Sequence, residues 1–258
     1  MKIGIQMYTL RKSMTTPEDF DKTLRRVAEI GYKSVQITPP GFVTAKDLAA
    51  QLKTYGLSAD SVIRTVMSIP EQLDQICADA EFLQTDVLRT DSIPYEMRSS
   101  ADGYRKFAQH LEHCGKLLHQ HGLKFMYHFH AFEYTTFGQT RGIDILLNET
   151  SPEYVMFQPD VFWMTAAGTE PSAELLRYRG RTTYMHLKDY LVTPSREGVL
   201  EEYSHVSAPV GTGNLNWAGI LSTARSIGVE NFVVEDDMGI LDPFDSAAQS
   251  FSNLTRLF

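Results

Sequence analysis

Along this chain a two-residue rhythm of apolar positions alternates with one of about 3.6 residues, and glycine or proline marks many of the changeovers. Lys2 to Gln6 alternates as a strand does; Asp19 to Ile30 then carries apolar residues at helical spacing and stops at Gly31. The unit recurs. A strand over Ser34–Thr38, closed by Pro39-Pro40, precedes a helix over Ala45–Tyr55 and Gly56. A weaker strand over Leu57–Arg64 leads to a helix from Pro70 to Leu83, and a short strand over Asp86–Arg89 to a long amphipathic helix over Ser99–Gln120.

After Gly122, the run Lys124 to Glu133 begins as a buried strand and ends in chemistry: His128, His130 and Glu133 fall within six positions. Side chains alternate along a strand, so His128 and His130 share a face and the chain then turns to offer Glu133. A short helix at Gly142–Leu147 follows, then a strand over Tyr154–Gln158 and helical pieces at Phe162–Ala167 and Ser172–Tyr178. Next come a strand over Thr182–Leu187, an aperiodic stretch from Tyr190 to Gly213 long enough for a loop over a site, and a helix at Trp217–Ile227. A strand over Asn231–Glu235 and a helix over Pro243–Leu257 complete the chain. About eight strand–helix units predict an α/β fold of one domain, residues 1–258, closed as a (β/α)8 TIM barrel. A doubly wound open sheet is disfavoured because no G-x-G-x-x-G follows the first strand.

Bulk properties narrow the function. With 258 residues the chain can bury a large core, and its net charge of −8 provides no basic footprint for nucleic acid. No twenty-residue apolar run appears and Met1 to Gln6 reads as a strand, which predicts a cytoplasmic protein without membrane association. Cys77 and Cys114 are far apart and outside any cysteine/histidine cluster, so neither a disulfide framework nor a thiolate metal site is expected.

In such a barrel the active site lies at the carboxyl ends of the strands. There the late strands deliver His128, His130 and Glu133; then Asp160; then His186, Lys188 and Asp189; then Glu235 and Asp237. Glu133, Asp160, His186 and Glu235 would form a carboxylate-rich ligand set with one imidazole, suited to Mn²⁺ or Mg²⁺ and acceptable to Co²⁺ or Zn²⁺.

The order IGIQMYTLR, YHFHAFEY, QPDVFW, HLKD, VGTGNLNW and VVEDD resembles the xylose-isomerase-like TIM-barrel superfamily, in its sugar phosphate isomerase/epimerase branch, over essentially the whole chain. The resemblance implies a divalent metal, Mn²⁺ foremost, on Glu133, Asp160, His186 and Glu235, with His130 or His128 as alternatives to Glu133. Departures exist: Gln36 and Ser61-Val62-Ile63 stand where the branch often has a Glu and a His, and Gly211-Thr212-Gly213 replaces its Gly-Glu-Gly.

The implied activity is isomerisation or epimerisation of a sugar, sugar phosphate or polyol, by proton abstraction beside a carbonyl through a metal-stabilised enediolate. Glu133 and Glu235 would be the acid–base pair, with His130 and Lys188 assisting and His128, Tyr8, Trp163 and Gln36 binding a small carbohydrate. Such barrels commonly form homo-oligomers. A dehydratase or lyase acting on a keto-sugar, keto-glycoside or keto-inositol would use the same site. A DNA-repair nuclease is disfavoured by the acidic charge and the lack of further His and Glu ligands, and a non-catalytic binder is the residual case.

Overall fold

The computed structural model describes residues 2–194 and 203–257. The chain opens with β1 (Lys2–Gln6), α1 (Pro17–Ile30), β2 (Ser34–Gln36), α2 (Ala45–Thr54), β3 (Ser58–Ala59), β4 (Val62–Ile63), α3 (Leu73–Leu83), β5 (Val87–Asp91) and α4 (Ala101–Gln120). It continues with β6 (Lys124–His128), the small hairpin β7 (Thr136–Phe137) and β8 (Thr140–Arg141), α5 (Gly142–Glu149), β9 (Met156–Gln158), α6 (Val161–Ala166) and α7 (Pro171–Leu175). Last come β10 (Tyr184–Leu187), β11 (Asp189–Pro194), β12 (Tyr203–Ala208), α8 (Trp217–Ser226), β13 (Asn231–Val234) and α9 (Pro243–Leu257).

Parallel pairing runs β10–β13–β1–β2–β3 and β4–β5–β6–β9. Two seams join these arcs. The weak third strand divides at Asp60-Ser61, so that β3 pairs with β2 while β4 pairs with β5. Between β9 and β10, Asp160 lies opposite His186, with the His186 N–H donating to Pro159 at 2.8 Å and Phe157 N–H to Arg181 at 2.7 Å. The expected closed ring of eight staves results, wrapped by helices and packed around buried aliphatic and aromatic side chains. Among the described residues no helix is long and apolar enough to cross a membrane.

Strand alternation decides which residues reach the lumen. On β6, Tyr127 points outward to Phe107 of α4, its ring 5.3 Å away, whereas His128 points inward to His186, at 4.4 Å between ring centres. Some boundaries move for local reasons. Helix α1 starts at Pro17, two residues earlier than predicted, because Thr16 caps it by accepting the Asp19 N–H at 3.1 Å and proline suits the first turn.

The stretch expected to be an aperiodic loop after β10 contains an antiparallel hairpin, β11 against β12; residues 195–202 of that stretch lie outside the described residues. Asp189 anchors its base. The buried carboxylate accepts N–H groups from Tyr190 (2.8 Å), Gly211 (2.8 Å), Gly213 (2.9 Å) and Leu215 (3.3 Å) and the Trp217 indole (2.7 Å). Gly213 must lack a side chain here, since a Cβ would stand 2.5 Å from the Asp189 carboxylate. The Trp217 side chain is committed to this anchor. Asp189→Asn, which turns an acceptor-only group into one that also presents two donors, should cost roughly 2 kcal/mol and lower Tm by about 4–8 °C in scanning calorimetry. An unchanged Tm would show that the anchor is dispensable.

Candidate metal and substrate site

The inward positions at the carboxyl ends of four neighbouring staves bring His128, Asp160, His186 and Glu235 together, and one ligand-type atom from each lies within 4.8 Å of the others. All four residues are buried. Asp160 caps α6: its Oδ1 accepts the N–H groups of Phe162 (2.9 Å) and Trp163 (3.3 Å), leaving Oδ2 directed inward. His186 is oriented by Gln36, whose amide oxygen lies 2.8 Å from Nε2 and is held in turn by Gln158 at 3.2 Å. An amide oxygen only accepts, so Nε2 carries the ring proton and Nδ1 presents its lone pair.

That lone pair faces Glu235 Oε2 at 3.3 Å and Asp160 Oδ2 at 3.7 Å. Three electron-rich atoms cannot share so small a volume unless a positive charge lies among them. His186 Nδ1 and Asp160 Oδ2 are also buried without a hydrogen-bond partner among the described residues. Burial lowers the basicity of His186, but Glu235 and Asp160 reverse this and raise it above its ordinary value. Either an extra proton or a bound dication answers that demand. Burial, with His186 and His130 nearby, holds His128 well below its ordinary value, so it remains a neutral donor. Its Nδ1 lies 3.3 Å from the Gln158 carbonyl, which leaves Nε2 for a ligand. Two imidazoles and two carboxylates therefore fit a divalent cation of the Mn²⁺, Co²⁺ or Zn²⁺ kind.

Lys188 completes the charge pattern. Its Nζ lies 2.9 Å from Glu235 Oε2, 2.9 Å from Asp237 Oδ1 and 3.8 Å from Asp160 Oδ2, so its acidic partners are these rather than the neighbouring Asp189. Burial opposes its charge, but these three carboxylates outweigh that and keep the ammonium protonated. Burial likewise disfavours the Glu235 charge, yet Lys188 and His186 hold its carboxyl well below the usual range.

A cleft of about 420 Å³ opens onto this group, lined by Tyr8, Arg89, His130, Lys188 and Glu235 among others. His130 is held to about 4 chiefly by burial and so stands neutral. Tyr8 is exposed at the rim beneath the Arg11 guanidinium, 4.1 Å from its ring. Trp163 lies beside His130, with ring centres 5.3 Å apart, outside the cleft lining.

Three expected positions change. Glu133, expected as a ligand and as the acid–base partner of Glu235, stands outside the group of four. The chain turns back after β6, so that its carboxylate accepts the His130 backbone N–H at 2.8 Å and the hydroxyl of the outward-facing Tyr127. His128, read first as a substrate contact and as an alternative ligand, occupies the fourth corner instead. Gln36, expected to touch substrate, is fully buried beneath His186. Arg89 and Asp91, inward positions of β5 that also line the cleft, were missed; the signal was two charged residues at strand spacing directly after the apolar Val87-Leu88.

A family model described as xylose isomerase-like TIM barrel matches residues 24–254. Among curated proteins, an inosose dehydratase 2 of Bacillus cereus is 36% identical over 86 residues, 33% of this chain and 28% of that protein, so the match spans under a third of the relative's length. Among solved structures, a sugar phosphate isomerase/epimerase from Parabacteroides distasonis superposes with a TM-score of 0.81 at 19% identity, covering 99% of this chain and 98% of that one. A xylose isomerase-like TIM barrel protein from Mycobacterium smegmatis in complex with magnesium superposes with a TM-score of 0.70 at 16% identity, covering 99% and 96%. At these identities the solved structures carry the fold alone.

The placement of Glu133 has a measurable pH signature. Burial raises its carboxyl to about 7, against the lowering effect of Tyr127 and the His130 N–H. The folded state thus holds this proton more tightly than the unfolded one. Its stabilising contribution is present below the unfolded value near 4.5 and is lost as pH rises through 7, on the order of 3 kcal/mol in all. Glu133→Gln should remove this dependence, making the variant more stable than the parent at pH 8 and about equal to it at pH 4. Parallel stability curves for the two proteins between pH 4 and 8 would contradict this placement.

Proposed function

Because the chain belongs to the family of xylose isomerase-like TIM barrels, we propose that it is a divalent-metal-dependent isomerase or epimerase of a sugar, sugar phosphate or related polyol. The observation that carries this reading is the unpartnered pair His186 Nδ1 and Asp160 Oδ2, facing His128 and Glu235 at the foot of an open cleft. We take His128, Asp160, His186 and Glu235 as the ligands and Mn²⁺ as the resident ion. A dication held there would offset the negative charge that develops on a carbonyl oxygen when the adjacent carbon loses its proton.

The chain's own residues then divide the proton work. Glu235, kept ionised by Lys188, can take a carbon-bound proton from one side of the cleft. His130, neutral and in the same lining, is the proton carrier on the other, a role first expected of Glu133. Lys188 supplies a charged N–H donor to a substrate oxygen. Return of the proton to the opposite face of the same carbon is epimerisation; its return to the neighbouring carbon is isomerisation.

A second reading uses the same proton abstraction to expel water or an alcohol from the next carbon, and the inosose dehydratase relative favours it. The two free cysteines suit a reducing cytoplasm, the setting we propose.

Incubation of the Mn²⁺-loaded protein with ketoses and keto-inositols in D₂O, followed by NMR, tests both readings. Deuterium should enter beside the carbonyl, with an epimer or isomer recovered under the first reading and a dehydrated product under the second. Glu235→Gln should slow exchange by roughly 10²–10⁴-fold. Absence of exchange across the panel would overturn the enzymatic reading altogether.

A further inference from the structure

Among the described residues two arginines are deeply buried, and the fold treats them differently. Arg181 is a structural residue with its guanidinium fully engaged: Nη1 donates to Leu147 O at 2.9 Å, Nη2 to Thr150 Oγ1 at 2.8 Å, and Nε to Val155 O at 3.3 Å. Arg89, only 2% exposed, donates through Nη2 to Asp91 alone. Its Nε and Nη1 are buried and have no hydrogen-bond partner among the described residues. Leaving donors of a permanent charge unmatched inside a protein is unfavourable, so they call for acceptors.

Arg89 lines the same cleft as His128, Lys188 and Glu235, one inward position below Asp91, which pairs in register with His128. The charges point the same way. Arg11, Arg89 and Lys188 answer Asp91 and Asp237 in the lining, while a dication would balance Asp160 and Glu235. One positive charge is then in excess, which a single carboxylate neutralises and a phosphate dianion exceeds.

We propose that Arg89 recognises a carboxylate on the substrate, which makes the natural substrate a sugar acid rather than a neutral sugar. This rests on the isomerase or epimerase reading for the chemistry, but the recognition itself is a binding property of the cleft. Arg89 acts here as a specificity-determining residue, and its pairing with Asp91 aims the guanidinium at the cleft.

Calorimetric titration of the Mn²⁺-loaded protein with paired hexuronates and hexoses, D-glucuronate against D-glucose and D-galacturonate against D-galactose, tests the assignment. At least one uronate should bind about tenfold more tightly than its neutral partner, the preference a charge-assisted hydrogen bond gives. Arg89→Gln should erase that preference, so that uronate and hexose bind alike, with Tm and circular dichroism verifying the fold. D-glucuronamide and D-galacturonamide remove the charge from the ligand side without any variant, so the test stands even if the substitution fails to fold.

Equal binding of acid, amide and hexose would overturn the proposal, as would a uronate preference that survives Arg89→Gln. Proton exchange on the same sugars separates the two claims. A uronate that binds through Arg89 yet exchanges nothing defeats the activity and retains the recognition, whereas exchange on neutral sugars without a uronate preference does the reverse.

Discussion

An imidazole lone pair aimed at two carboxylates, buried at the foot of the cleft, is the constraint on which this structure turns. His186 cannot rotate to escape it, because Gln36 holds its other nitrogen at 2.8 Å and Gln158 holds Gln36. Asp160 cannot turn away either, since its second oxygen is occupied with the N-terminus of α6. The arrangement is preorganised and electrostatically incomplete, a combination that folding alone would not favour and that binding a cation resolves. Lys188 supplies part of that positive charge, and it does so from the side of Glu235 and Asp237.

The same residues are also architectural. Asp160 and His186 lie opposite each other across the seam where β9 meets β10, so two of the four candidate ligands help close the ring of staves. The neighbouring loop is secured independently by Asp189, one residue past Lys188 and facing outward. Inward and outward positions along the run from β10 into β11 thus carry different duties, His186 and Lys188 in the lumen and Asp189 behind it. Period-two alternation is what makes that division of labour available to four consecutive residues.

Much of this was legible before any coordinates. Asp160, His186 and Glu235 each end an apolar run, and a barrel delivers such residues to one mouth, so their convergence followed from order and spacing. Glu133 misled because it lies beyond β6 in a 3₁₀ turn, where strand parity no longer applies and a tyrosine on the outer face could capture it. Gln36 was visible as a residue but its role was not, since the histidine it orients is 150 positions away. Arg89 closed a strand that was read as ending there, whereas β5 runs on to Asp91 and so places both charges in the lumen. The hairpin of β11 and β12 escaped notice because its pairing depends on Asp189 gathering distant N–H groups, which hydrophobic periodicity does not record.

The central claim is that the ion is held by two histidines, one on β6 and one on β10. X-ray absorption at the metal edge of the Zn²⁺- or Co²⁺-loaded protein measures this directly, because imidazole rings scatter from their outer atoms as well as from the bound nitrogen. Two imidazoles with metal–nitrogen distances of roughly 2.0–2.2 Å, reduced to one in His128→Ala, is the predicted result. A parent protein with a single imidazole and three carboxylate ligands, unchanged by His128→Ala and altered by Glu133→Gln, would contradict it.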